Sequence, residues 1–158
     1  MRLSPISLVD PIIDRAFAED LSGSDVTTHA CIPEETLAVA RAVARKPVVV
    51  SGLDVAARVF EKLDPALTFE RHVEDGTLVP AKTALFTVRG SAQSILMAER
   101  TALNLIQRMI GTATLTRAYV DAVPKGRACR ITDTRKTTPG LRLLERYAVR
   151  CGGGKNHR

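Results

Sequence analysis

The chain has 158 residues, 45% of them apolar and 25% charged, the composition of an ordinary globular protein long enough for one domain and part of a second. No apolar run approaches the roughly 20 residues that a membrane span needs, and Pro5, Asp10, Pro11 and Asp14 interrupt what would be a signal-peptide core, so a cytoplasmic location is expected. The net charge of +6 is unevenly placed: residues 125–158 hold ten Lys/Arg against two acids, a balance of +8, while residues 1–124 carry −2. An anionic partner is expected at the C-terminal end, with nucleic acid, phosphorylated small molecules and dicarboxylates as the candidate classes. Cys31, Cys129 and Cys151 are odd in number and widely spaced. They suggest neither a disulfide framework nor a zinc site and read as buried or half-buried thiols.

In chain order, Ile12, Ile13, Ala16, Phe17 and Leu21 predict a helix over 11–21, stopped by the turn-prone Ser22-Gly23-Ser24-Asp25. Thr27 and Thr28 then lead to a break at Pro33. The β-branched content and bounding breakers predict strands over 37–44 and 48–52. Leu53, Ala56, Ala57, Phe60 and Leu63 restore a helical period over 53–63, and alternation predicts a half-buried strand over 67–73. Glu74-Asp75-Gly76 is a turn in which Gly76 can take positive φ. Another strand follows over 84–89.

Ser91 is a candidate N-cap for the longest helical pattern, 92–110, which is apolar around most of its circumference and should be largely buried. Arg100 lies within it and needs an anionic partner, such as a carboxylate of the same domain like Glu99. Gly111 reads as a break before a second helix over 112–123. A turn at Pro124-Lys125-Gly126, a strand over 128–133 and a helix over 141–149 complete the pattern. This order predicts an α+β first domain, residues 1–111, followed by the opening of an α/β unit, residues 112–158.

The chemistry is concentrated in that last unit. Asp133-Thr134-Arg135-Lys136-Thr137-Thr138-Pro139-Gly140 places two cations and three threonine hydroxyls after a strand's C-terminal end, where parallel α/β sheets and barrels bind ligands. Arg135 can grip a planar carboxylate with two parallel hydrogen bonds, whereas Lys136 acts as a point charge suited to phosphate. Arg142, Glu145 and Arg146, four and three apart, read as a solvated helix face. Gly152-Gly153-Gly154 ahead of Lys155, His157 and Arg158 could cradle an anion, but it lacks the spacing of the nucleotide-binding loops.

Four separated motifs carry a resemblance: Glu19-Asp20-Leu21 with Ser24-Asp25-Val26-Thr27-Thr28; Glu99-Arg100-Thr101-Ala102-Leu103-Asn104; Asp133-Thr134-Arg135-Lys136-Thr137 with Pro139-Gly140-Leu141-Arg142; and Tyr147-Ala148-Val149 with Gly152-Gly153-Gly154 and Asn156-His157-Arg158. The chain resembles the quinolinate phosphoribosyltransferases, also called nicotinate-nucleotide pyrophosphorylases (carboxylating), and looks like their N-terminal portion. The resemblance implies an α+β N-terminal sandwich domain followed by the opening strand and helix of an α/β (TIM-like) barrel. It implies transfer of a phosphoribosyl group from phosphoribosyl pyrophosphate to quinolinate with decarboxylation, in the presence of Mg²⁺, giving nicotinate mononucleotide for NAD biosynthesis. It also implies a homodimer in which Arg100 reaches the partner's site, while Thr134, Arg135, Lys136, His157 and Arg158 hold substrate at the barrel mouth. No catalytic acid or base and no metal ligand is assigned to this chain.

Other readings are a relative of the same fold acting on another substrate, and a non-catalytic module dimerising through the 92–110 helix. A nucleic-acid-binding domain would explain the basic end, but aromatics are only 4% with no Trp, and no recognition or stacking motif is present. No nucleic-acid or membrane partner is expected.

Overall fold

The computed structural model describes residues 3, 5–21 and 25–157. The turn expected at Ser22-Gly23-Ser24 and the site residue Arg158 lie outside the described residues. After a 3-10 turn at Ile6–Val9 come α1 (Asp10–Asp20) and α2 (Val26–Cys31). β1 (Leu37–Val43), β2 (Val48–Val49), α3 (Leu53–Leu63), β3 (Thr68–Arg71), β4 (Leu78–Val79) and β5 (Ala84–Ser91) follow. The long α4 (Ala92–Ala122) and finally α5 (Arg142–Cys151) complete the order. No helix among the described residues is long and apolar enough to cross a membrane.

β5 is the central strand of an antiparallel sheet ordered β1-β5-β3, with Leu37 opposite Ser91 and Thr68 opposite Arg89. β2 and β4 form a separate two-stranded ladder. The first unit is held by burial of Val49, Val50, Val55, Val59 and Val88 together with Ala98 and Ala102 of α4, all fully enclosed. Phe60, Phe69 and Phe86 form an aromatic cluster, with Phe69 and Phe86 stacked at 4.7 Å between ring centroids.

Two local choices set the geometry. Gly52 precedes α3 at φ +101°, and a Cβ there would lie 2.7 Å from Met109 Sδ, so both conformation and space call for glycine. Ser91 Oγ accepts the Ser94 N–H at 3.3 Å and caps α4, as its sequence position predicts.

The break expected at Gly111 is not there. α4 runs unbroken for 31 residues through it. One exposed glycine costs a helix only about 1 kcal/mol relative to alanine, and buried Met109 and Ala113 anchor the helix on either side. The division at residue 111 thus falls inside one helix, whose earlier turns pack on α3 and whose later turns pack on α5. The sequence pattern does not announce α2; its N-cap is Asp25, whose carboxylate accepts the Thr28 N–H at 3.0 Å and the Thr28 hydroxyl at 2.6 Å. Of the strand expected over 128–133, only Thr132 pairs among the described residues, in a parallel bridge with Lys155. A β ladder requires a neighbour along its length, and here the neighbour is a single returning segment. Cys31 and Cys129 are exposed, against expectation; only Cys151 is buried, on the inner face of α5.

The architecture is therefore an α+β domain of sheet and helices followed by a strand-like segment, a helix and a returning parallel segment, the opening of an α/β barrel.

Candidate active site

The parallel bridge decides what meets what. Asp133 N–H donates to Lys155 C=O at 3.0 Å, and Lys155 N–H donates to Ile131 C=O at 2.9 Å. These bonds lay the end of the chain beside 131–133 and bring the DTRKT loop and the Asn156-His157 pair to one end of the unit. Tight packing permits this return: a Cβ on Gly152 would lie 2.5 Å from Ala113 C=O, and one on Gly154 would lie 2.7 Å from Val149 Cγ1. The glycine triplet thus serves close approach to α4 and α5.

A cavity of about 250 Å³ opens there, lined by Asp133, Thr134, Arg135, Arg142, Arg146 and His157. Three arginines face one small space with one carboxylate. That carboxylate is occupied: Asp133 Oδ2 accepts from Asn156 Nδ2 at 2.8 Å and Arg146 Nε at 3.0 Å, and Oδ1 accepts the backbone N–H of His157. Burial pushes the Asp133 carboxyl up, but the His157 N–H, the Asn156 amide and the Arg146 guanidinium together hold it below the usual carboxylate range. Arg142 braces the loop, with Nε donating to Thr137 Oγ1 at 3.1 Å and Nη2 to Arg135 C=O at 3.2 Å. Thr134 Oγ1 accepts the Lys136 N–H at 3.1 Å, which turns the loop on itself.

Of the residues expected to hold substrate, Thr134, Arg135 and His157 share this cavity. Lys136 is exposed and does not line it. Arg100 is elsewhere: its side chain is 66% exposed on α4, 3.7 Å from Asp20, and the expected pairing with Glu99 is not the one formed. Arg142 and Arg146, which helical spacing assigns to a solvated face, instead line the cavity. The helix begins immediately after the loop and turns that face back over it. The signal available in sequence is Asp133, a lone acid beside a cation cluster, which has to be satisfied by donors from nearby elements.

A larger open groove of about 1130 Å³ runs between β1 and α4, with Val43, Leu103, Ile110 and Leu115 along it and Arg41 and Lys82 at its edges. Among the described residues it contains none of those expected to bind substrate.

Sequence profiles described as "Quinolinate phosphoribosyl transferase, N-terminal domain" and "Quinolinate phosphoribosyl transferase, C-terminal domain" match residues 25–110 and 112–158. The chain is 43% identical over 156 residues to the probable nicotinate-nucleotide pyrophosphorylase (carboxylating) of Synechocystis sp., covering 99% of this chain and 52% of that protein. It is 48% identical over 150 residues to the nicotinate-nucleotide pyrophosphorylase (carboxylating) of Mycobacterium leprae, covering 92% of this chain and 52% of that protein. The crystal structure of NadC from Streptococcus pyogenes superposes with a TM-score of 0.94 at 39% identity, covering 100% of this chain and 55% of that one. The chain spans about half the length of the curated relatives it matches. With profile matches over most of its length and the same architecture as a solved relative, the chain belongs to the quinolinate phosphoribosyltransferase family.

Proposed function

We propose that the whole protein to which this chain belongs transfers a phosphoribosyl group from phosphoribosyl pyrophosphate to quinolinate, with decarboxylation, giving nicotinate mononucleotide in NAD biosynthesis. The observation that carries this reading is the convergence of Arg135, Arg142, Arg146, Thr134 and His157 on one small cavity at the end of the barrel's opening segment. Quinolinate is a compact dianion that must be held against a highly anionic donor. A preorganised cation cluster offsets that repulsion, and positioning supplies much of the rate. In this reading Arg135 grips a carboxylate, His157 and Thr134 add contacts, and the exposed Lys136 faces the phosphoribosyl donor. Arg158 is assigned to the same group.

The bond changes need no base from this chain. The pyridine nitrogen attacks C1′ as pyrophosphate departs, leaving a pyridinium. The C2 carboxylate then leaves as CO₂, its bonding pair stays on the ring carbon, and a proton completes C2. What the cavity contributes is orientation and charge.

Magnesium belongs to the same family-based reading, but the described residues do not supply a donor set for it. They hold no group of three or more His, Cys, Asp or Glu that could ligate a metal. The cavity's carboxylate is committed to three donors.

The active form in this proposal is a cytoplasmic homodimer in which Arg100 enters the partner's cavity. What supports it is the exposure of Arg100 on the same helix as exposed Leu96, Leu103, Leu115 and Tyr119. Residues 112–158 form the opening of the catalytic domain. The 158-residue chain alone is expected to show no turnover, since 131–133 has a single strand neighbour among the described residues. Measurable nicotinate mononucleotide formation by the purified chain would overturn that expectation.

Calorimetric titration with quinolinate, repeated on Arg135→Ala, tests the binding part of the proposal. A loss of roughly tenfold or more in affinity is expected for removal of a charge-assisted carboxylate contact. Equal affinity of both chains would count against it.

A further inference from the structure

We infer that Asp133 is a positioning residue of the cavity: it fixes His157 and Arg146 where an anion can meet them and does not itself touch the ligand. The inference rests on the proposed function for the identity of the ligand, but its geometric basis is independent. Asp133 lies where three elements meet, at the end of the 131–133 segment, against α5 and against the returning segment 155–157. Its side chain is only 7% exposed. From each neighbour it receives a donor: the Arg146 guanidinium from α5, and the Asn156 amide and the His157 backbone N–H from the return. Asn156 Nδ2 also reaches Arg146 C=O at 3.0 Å, closing the circuit between α5 and the return.

A carboxylate in an anion-binding cavity is at first sight counterproductive. Its charge repels a dianion, and a free lone pair facing the ligand would add to that cost. Here both carboxylate oxygens are engaged by donors of the protein, three in all. Two of those donors belong to residues adjacent to or lining the cavity, and the third is the peptide group of His157 itself. Past the bridge at Lys155, the hydrogen bond from the His157 N–H to Asp133 holds the returning backbone at His157. Arg135 and Arg142 are held differently, through the loop contacts to Thr137 Oγ1 and the Arg135 carbonyl, and do not depend on Asp133.

The sign of one substitution separates positioning from simple electrostatics. Asp133→Asn removes a negative charge from a cationic cavity. It also replaces one acceptor oxygen by an N–H₂ donor, so the side chain can no longer accept from the His157 N–H and from Arg146 and Asn156 together. Two measurements on the full chain are compared with wild type: hydrogen exchange at the His157 and Asn156 amides, and calorimetric titration with quinolinate. The expected result is exchange at His157 faster by at least tenfold with exchange in α3 and α4 unchanged, and quinolinate affinity lower by roughly tenfold, the size of a lost hydrogen bond to a charged group. Tighter quinolinate binding, or unchanged exchange at His157, overturns the inference. If wild type binds no quinolinate, the functional proposal fails while the exchange result still decides the positioning role. Asn156→Ala, which removes one donor and keeps the carboxylate, is the milder second variant; it should shift both readouts in the same direction by a smaller factor, and no shift in either counts against the role as well.

Discussion

The Tyr147 hydroxyl donates a hydrogen bond to Asp75 Oδ2 at 2.8 Å and so joins α5 to the turn between β3 and β4. Asp75 is enclosed in the core, and its oxygens also accept the N–H groups of Gly52 at 2.9 Å and Leu53 at 3.2 Å, at the N-terminus of α3. The buried carboxylate is tolerated because three donors and a helix N-terminus share its charge. Burial first, then the neighbouring Asp75 charge, pushes the Tyr147 phenol well above its usual range, so it stays a donor throughout the accessible pH range. α5 carries Arg142 and Arg146 on its outer face and Tyr147 on its inner one. The bond therefore ties the cavity wall to the first domain.

Tyr147→Phe keeps the ring and removes this link. Urea unfolding should show a loss of about 1.5–3 kcal/mol, the range for a hydrogen bond to a charged group. Asp75→Ala should cost more, because the Tyr147 hydroxyl and the two N–H groups at α3 all lose their acceptor. If Asp75→Ala costs less than Tyr147→Phe, the α3 cap does not contribute as described.

The two glycines Gly52 and Gly111 should behave oppositely. Gly111 lies within α4, and an alanine methyl there would have nothing within 4 Å, so Gly111→Ala should stabilise by about 0.4–1 kcal/mol. Gly52→Ala meets Met109 Sδ at 2.7 Å and must hold φ +101°, and should destabilise by at least about 1–2 kcal/mol. Thermal unfolding of both variants checks the pair; a shift of the same sign in each would contradict it.

Much of this arrangement is legible in the residues. α3 matches its apolar period end to end, and Ser91 and Gly76 take the cap and the turn that their chemistry suggests. Where the sequence pattern misleads, it does so for tertiary reasons. Gly111 looks like a break because local propensity cannot see Met109 and Ala113 anchoring the helix on either side. Arg142 and Arg146 look like a solvated face, and Arg142 is exposed, but helical spacing alone does not reveal that both border the cavity at the loop. Asp133 is visible as a motif residue, but its role needs the return of Lys155 beside Thr132, a contact 23 residues apart in sequence.

Acid should expose the Asp133 network. The carboxyl is held below the ordinary value of 3.8, so its stabilising contribution is complete above that pH and is lost as pH falls through the lower folded value. Asp10, held low chiefly by hydrogen bonds from Arg58, acts in the same direction. The informative quantity is therefore the difference between chains: below pH 3.8 the stability gap between wild type and Asp133→Asn should close. A gap that stays constant from about pH 6 down to about pH 2 would argue against the assignment.

Arg100 offers a test of assembly. Its contact with Asp20 is 3.7 Å and exposed, so Arg100→Ala should change monomer stability by less than about 0.5 kcal/mol. Sedimentation over a range of concentrations should show self-association of the wild-type chain. A purely monomeric profile would mean that Arg100 cannot be shared between subunits of this chain.

If quinolinate binds as proposed in the cavity between the DTRKT loop, α5 and the returning segment, its second carboxylate adds to the affinity there. The most direct test is a calorimetric comparison of quinolinate with nicotinate, which lacks the C2 carboxylate, on the same wild-type chain. Quinolinate is predicted to bind at least roughly tenfold more tightly, the size of one charge-assisted contact. Equal affinity for the two would contradict the account.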